Sequence, residues 1–196
     1  MHQSSLRHMR GLVSKYGISS GIVTDIGSMD VNGSYRPLFK SCRYIGMDME
    51  SGPGVDVIAK DPYNYPLPSR SSDLVISGQA FEHMEFFWIA WLEMCRIVKF
   101  GGLIFLLAPS RGPEHRYPVD CWRFYPDGFR ALAKWSGVEL IEVATDWEPD
   151  AEPDSAPWGD TVGVFRRYRE TVPGRIRRRL LIQSIKWLSA TSRSDC

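Results

Sequence analysis

Short apolar runs alternate with longer amphipathic stretches along most of the chain. GIVTDIG (21–27), RYIGMD (43–48), VDVIAKD (55–61), SDLVISG (72–78) and LIFLLAPS (103–110) each have the length and composition of a strand. Between the fourth and fifth runs, FFWIAWLEMCRIVKFGG (86–102) repeats apolar residues at three- and four-residue spacing, at Phe87, Trp91, Met94 and Val98. That spacing predicts a helix, with Gly101 and Gly102 as its stop. PDGFRALAKWSG (126–137) predicts another helix, opened by Pro126 and closed by Gly137. VELIEVAT (138–145) and TVGVFRR (161–167) predict a late pair of strands. Strands alternating with helices in this way build a mainly parallel sheet with crossover helices. LIFLLAPS is almost wholly apolar, which predicts a central strand buried on both faces.

Two segments depart from the alternation. Residues 139–160 are acidic and, after Trp147, rich in proline, which predicts a surface loop over much of that span. The stretch RIRRRLLIQSIKWLSATSRSDC (175–196) is basic, and Ile176, Leu180, Ile185 and Leu188 fit one face of a helix. Such a face could lie on an anionic surface, membrane or otherwise, but more often docks on its own domain or on a second copy of the chain, which makes a homodimer one expectation.

Length and charge narrow the picture. The 196 residues suffice for one domain with a substantial core and not for two ordinary ones. The expected organisation is a single domain over 1–196, with an N-terminal helix within 1–19, a core over 20–170 and the basic tail over 171–196. With 43% hydrophobic and 24% charged residues and a net charge of +1, the composition is that of a soluble globular protein. It gives no reason to expect nucleic acid as a partner. No apolar run approaches the ~20 residues of a membrane-spanning helix. The start, MHQSSLRHMRGLVSKYG, lacks the apolar centre of a signal peptide. Cys42, Cys95, Cys121 and Cys196 form no CxxC pair, so reduced thiols in a cytoplasmic protein are expected.

Chemistry concentrates at the ends of the apolar runs. In TDIGSMDVNG (24–33), Asp25 closes the first run and Gly27 follows it. A chain turning past the carboxyl end of a strand in an open parallel sheet passes the place where ligands bind. Met29 and Val31 stand where a dinucleotide loop carries glycine and would crowd a pyrophosphate. The loop therefore suits a nucleoside without phosphates better, and a nicotinamide oxidoreductase is disfavoured. Asp48 ends the second run, placed to accept hydrogen bonds from ribose hydroxyls.

The ordered series TDIGSMD, YIGMDME, KDPYNYPLPSRSSDLVISGQAFEH and RIVKFGGLIFLLAPS closely resembles class I S-adenosylmethionine-dependent methyltransferases, over roughly residues 20–145. The resemblance implies an α/β Rossmann-like sandwich: a seven-stranded, mostly parallel sheet with the last strand antiparallel and helices on both faces. It implies S-adenosylmethionine as cofactor. Asp25, Gly27 and Ser28 would border its amino-acid portion. Asp48 would hold the ribose, with Met49 packing on the adenine. Asp61 matches the acid that meets the adenine amino group, and Pro62 takes the neighbouring position without an N–H to donate. Ser77, Gly78 and Gln79 would border the methionine moiety.

The densest polar and aromatic cluster is PSRGPEHRYPVDCWRFYPDG (109–128), after the fifth run. A mere connector needs only a few residues, so this stretch reads as a functional loop. His115 is the expected general base for an acceptor hydroxyl, with Asp120 as a second base or as the partner that orients the imidazole. Arg116, Tyr117, Trp122, Arg123 and Tyr125, with His83 from QAFEHMEFFW, are the expected acceptor-binding residues. No residues are assigned to a metal, although Glu82, His83 and His115 could hold a divalent ion such as the Mg2+ that some sugar O-methyltransferases use. Hard ions usually want more carboxylates than this set offers. The HRYPVDCWRFYPD run most resembles small bacterial sugar O-methyltransferases of the methylmannose polysaccharide type. The resulting expectation is methyl transfer to a hydroxyl of a saccharide, a mannoside among the candidates, or of a similar polar metabolite in polysaccharide biosynthesis. Other readings are a nucleic-acid or other small-molecule methyltransferase, or a non-catalytic binding subunit of the same fold.

Overall fold

The computed structural model describes residues 2–153, 155–169, 174, 176, 180–185 and 187. Its centre is a seven-stranded sheet with strand order β3-β2-β1-β4-β5-β7-β6. The strands are β1 (Ile22–Ile26), β2 (Arg43–Asp48), β3 (Val57–Ile58), β4 (Ser72–Gly78), β5 (Val98–Pro109), β6 (Glu139–Thr145) and β7 (Asp160–Arg166). The first five run parallel, and β7 is antiparallel to both β5 and β6. The strand expected from VDVIAKD is present but only two residues long.

Helices α1 (Gln3–Lys15), α2 (Phe87–Ile97) and α3 (Pro126–Ser136) flank the sheet. α2 and α3 cover one face, where Trp91, Met94 and Phe129 meet Ile104, Leu106 and Phe165. α1 covers the other with Met9 and Leu12, joined by Tyr35 and Phe39 around a 3-10 turn at Arg36–Phe39. That turn is the only helical element between β1 and β2, so no long helix follows the glycine loop. β4 and β5 lie between the two cores, which is why Val75, Ile76, Ile104 and Phe105 are all wholly buried.

Gly101 and Gly102 correct one expectation. They do not stop α2, which ends at Ile97; the chain enters β5 at Val98. Both glycines lie in an irregular stretch of β5, where the pairing with β4 jumps from Ser72↔Val98 to Leu74↔Leu103. Gly101 has φ +80°, and a Cβ on Gly102 would stand 2.7 Å from the Asp73 carbonyl oxygen. Glycine serves here for a bulge and a close backbone approach. Gly137, by contrast, closes α3 in the left-handed conformation, as its position suggested.

Much of the basic tail lies outside the described residues, Leu188 among them. Ile176, Leu180 and Ile185 are helical, and Ile185 packs against the α2–α3 core. Among the described residues no helix is long and apolar enough to cross a membrane.

Candidate active site

The strand order reverses between β1 and β4, and the crease outside their carboxyl ends is where this architecture takes a ligand. Gly27 and Ala80 face each other across it. Gly27 has φ +80°, and a Cβ there would stand 2.5 Å from the Ala80 Cβ. Glycine is required by both backbone and packing.

Asp25 lies beneath the crease, 3% exposed. Its Oδ2 accepts the Tyr44 hydroxyl, while Oδ1 has no hydrogen-bond partner. Burial pushes this carboxyl up to about 7, with Asp48 adding to the effect and the Tyr44 hydrogen bond opposing it. Asp48 is held by two backbone N–H groups, from Met29 at 2.9 Å and Met49 at 2.7 Å, one on each oxygen. Each oxygen keeps a lone pair for a further donor. Met49 is 49% exposed and Ile58, which pairs in register with Asp48, is 45% exposed. Two uncovered apolar side chains beside a fixed carboxylate form a surface that suits a purine above a ribose. Val31 turns outward and Met29 lies toward Gly52, in the loop after β2.

Several expected cofactor residues serve the scaffold. Ser77 is fully buried and donates to the Ile26 carbonyl, tying β4 to β1. Ser28 donates to the Gly54 carbonyl. Asp61 accepts from the Tyr63 N–H, closing the turn that contains Pro62. Gly78 presses on Tyr35, whose ring atoms leave no room for a Cβ. Gln79, with φ +60°, sends its amide to Asp160 Oδ1 at 2.9 Å. Asp160, at the start of β7, also accepts from His2 and Ser4 and thereby seats the N-terminus of α1 at this edge of the sheet. Sequence reading missed Asp160, because nothing local distinguishes it from an ordinary strand-end aspartate.

The loop after β5 is docked from below. The Glu82 carbonyl, in a 3-10 turn at Phe81–His83, accepts the N–H groups of Cys121 at 2.7 Å and Trp122 at 3.2 Å. His83 Nδ1 donates to the Val119 carbonyl at 2.6 Å. These bonds bring His115 to His83, with ring centroids 4.8 Å apart, and Tyr117 stands edge-on to both. Asp120 accepts the backbone N–H of His115 and both terminal nitrogens of Arg123, at 2.6 and 2.8 Å. The Arg123 hydrogen bonds hold its carboxyl well below the usual aspartate range. Asp120 is thus a committed anion and a weak base; of the two roles expected for it, the geometry favours positioning.

The remaining aromatic and basic residues spread outward. Trp122 donates its indole N–H to the Met84 carbonyl at 3.0 Å, Tyr125 stacks on Trp147, and Arg116 pairs with Glu114 in solvent. Glu82, weighed from the sequence only as a possible metal ligand, lies between these elements. Its side chain is fully buried, neither oxygen has a hydrogen-bond partner, and burial pushes it up to about 8. The acidic loop before β7 contributes Trp158, which lies over His115.

The methyltransferase domain family matches residues 33–106, a span that contains Asp48, Asp61, Gly78 and His83 but not His115. No curated protein matches the sequence. Solved structures match the fold. The 1,6-didemethyltoxoflavin N1-methyltransferase of Burkholderia thailandensis, with bound S-adenosylhomocysteine, superposes with TM-score 0.67 at 12% identity, over 85% of this chain and 80% of that one. The YcgJ protein of Bacillus subtilis gives 0.63 at 14% identity, over 86% and 100%. A phosphoethanolamine N-methyltransferase of Haemonchus contortus, also with S-adenosylhomocysteine, gives 0.60 at 12% identity, over 83% and 53%. The chain thus matches the methyltransferase domain family over residues 33–106, and its fold is that of solved methyltransferases.

Proposed function

We propose that the protein transfers the methyl group of S-adenosylmethionine to a hydroxyl oxygen of a small polyhydroxylated acceptor, a saccharide in the first instance. The observation that carries this reading is the pairing of His83 and His115 at the carboxyl ends of β4 and β5, next to the β1–β4 crease. The residues of the crease fit the cofactor: a buried carboxylate oxygen without a partner at Asp25, a fixed carboxylate at Asp48, and uncovered Met49 and Ile58. The cofactor supplies an electrophilic methyl on a cationic sulfur.

This chain's own residues then have three tasks. Positioning comes first, since displacement at carbon needs the acceptor oxygen in line with the methyl–sulfur bond. Tyr117, 61% exposed, and Trp122, 37% exposed, offer faces on which a sugar ring stacks. The second task is proton removal, for which His115 is the candidate, held by Asp120 and Arg123. The third is exclusion of water, which Trp158 serves by covering His115.

Radiolabelled cofactor incubated with mono- and oligosaccharides, mannosides included, tests the acceptor class. Amines belong in the same panel, because two of the structural relatives are N-methyltransferases. Label entering amines and not sugars would reverse the choice of acceptor atom. His115→Ala should lower turnover far more than cofactor affinity; near-normal turnover removes it as the base.

A further inference from the structure

Three side chains that can each offer a ligand atom meet between β4 and β5. His83 gives its Nδ1–H to the Val119 carbonyl, an atom that can only accept, so its Nε2 carries the lone pair. That lone pair stands 3.6 Å from Glu82 Oε1. Both oxygens of Glu82 lack hydrogen-bond partners, as does the buried Nδ1 of His115. One ligand atom from each of the three residues lies within 4.8 Å of the others. Such a cluster around a fully buried carboxylate without partners is stabilised by a positive centre, a proton or a metal ion.

We propose that Glu82, His83 and His115 bind a divalent transition cation, Mn2+ or Zn2+, through one carboxylate and two imidazoles. The donor set decides the class of ion. Imidazole nitrogen suits borderline ions, whereas Mg2+ keeps to oxygen ligands and needs several of them. The hydrogen bond from His83 Nδ1 to Val119 is the outer contact that orients a ligating imidazole and fixes its tautomer. Asp120 stands 3.4 Å from His115 Nδ1 and adds negative charge behind the site.

Three protein ligands leave coordination positions open. The functional part of the inference rests on the methyl-transfer reading above. An acceptor hydroxyl taking an open position would become more acidic and release its proton to solvent; with the ion bound, His115 would serve as a ligand in place of the general base assigned to it above, while the methyl transfer itself is unchanged. Metal binding itself needs neither cofactor nor acceptor, so it is measured separately.

The test uses the full chain, stripped with chelator and titrated with Mn2+ alone, followed by electron paramagnetic resonance and calorimetry. Zn2+ and Mg2+ are titrated in parallel. One ion should bind per chain, Mn2+ and Zn2+ at least about tenfold more tightly than Mg2+. Glu82→Gln and, independently, His115→Asn should each weaken Mn2+ binding by at least about tenfold. Circular dichroism melts establish that each variant folds, and His115→Asn on the loop provides the case if Glu82→Gln does not. S-adenosylmethionine binding, measured in the same samples, should persist in both variants. Absence of stoichiometric Mn2+ and Zn2+ binding, or affinity unchanged in a folded variant, overturns the site and leaves a proton shared by Glu82 and His83. Metal binding without cofactor binding would retain the site and overturn the methyltransferase reading instead.

Discussion

The indole of Trp158 lies over the imidazole of His115, ring centroids 4.6 Å apart, although the two residues come from different loops. Trp158 is held in turn by His2, stacked at 6.0 Å, and by the edge of Gly112, where a Cβ would overlap the indole. The loop before β7 and the N-terminus together close one side of the site. Trp158→Ala should lower kcat/KM for the acceptor by roughly 10- to 100-fold, the scale of a misplaced reacting group. Cofactor affinity should hardly change. Steady-state kinetics beside calorimetry would show it, and an unaltered kcat/KM would remove Trp158 from the site.

Asp25 should make stability and, if it borders the cofactor as proposed, cofactor affinity depend on pH. Burial raises its carboxyl to about 7, so the protonated form is favoured in the folded state. A raised carboxyl contributes stability below its ordinary value, about 4, and that contribution is lost as pH rises through about 7. Asp25→Asn should therefore melt closer to wild type at about pH 5 than at about pH 8, where the variant gains relative to wild type. A cofactor carrying an ammonium and a sulfonium has the opposite preference, for ionised Asp25. Its affinity should increase through about pH 7 in wild type and stay flat across that range in Asp25→Asn. Parallel pH profiles for the two proteins would count against the role of Asp25.

Gly27 cannot take a side chain at the crease. Its φ of +80° disfavours any other residue, and a Cβ would stand 2.5 Å from the Ala80 Cβ. Gly27→Ala should cost about 2–5 kcal/mol in denaturant unfolding, the sum of a left-handed penalty and overpacking. Adding Ala80→Gly relieves the overlap but not the backbone angle, so the double variant should recover only part of the loss. Full recovery would mean that the backbone conformation costs nothing.

α1 is tied to the acidic loop by His8, whose ring nitrogen lies 2.6 Å from Asp146 Oδ2. That hydrogen bond raises the imidazole above its ordinary 6.5, against the opposing effect of burial, with the charges of Asp146 and Asp160 assisting. The stabilisation is complete below the ordinary value and is lost as pH rises through the raised one. The difference in Tm between wild type and His8→Ala should be largest at about pH 6 and shrink toward about pH 9. A difference independent of pH would show that the charged form of His8 contributes nothing.

Part of this protein was legible in its residue order because the governing forces act between near neighbours. LIFLLAPS forms the central β5, Pro126 and Gly137 bound α3, and the two late strands pair as expected, since burial pattern and turn chemistry are local. The same signals misread Gly101 and Gly102, where a helix stop and a strand bulge call for the same residue. His83 and His115 could be named from the sequence, but their meeting depends on β4 lying beside β5 and on two N–H groups docking on the Glu82 carbonyl. Ser77 and Gln79, expected at the cofactor, face Ile26 and Asp160 because strand-to-strand geometry directs their side chains. The residue order determined which chemical groups exist and which strands carry them. Tertiary packing alone decided that Glu82 is buried without a donor, that Asp25 is half satisfied, and that Trp158 covers His115. Desolvation and long-range hydrogen bonding are properties of the assembled fold, and no window of sequence contains them.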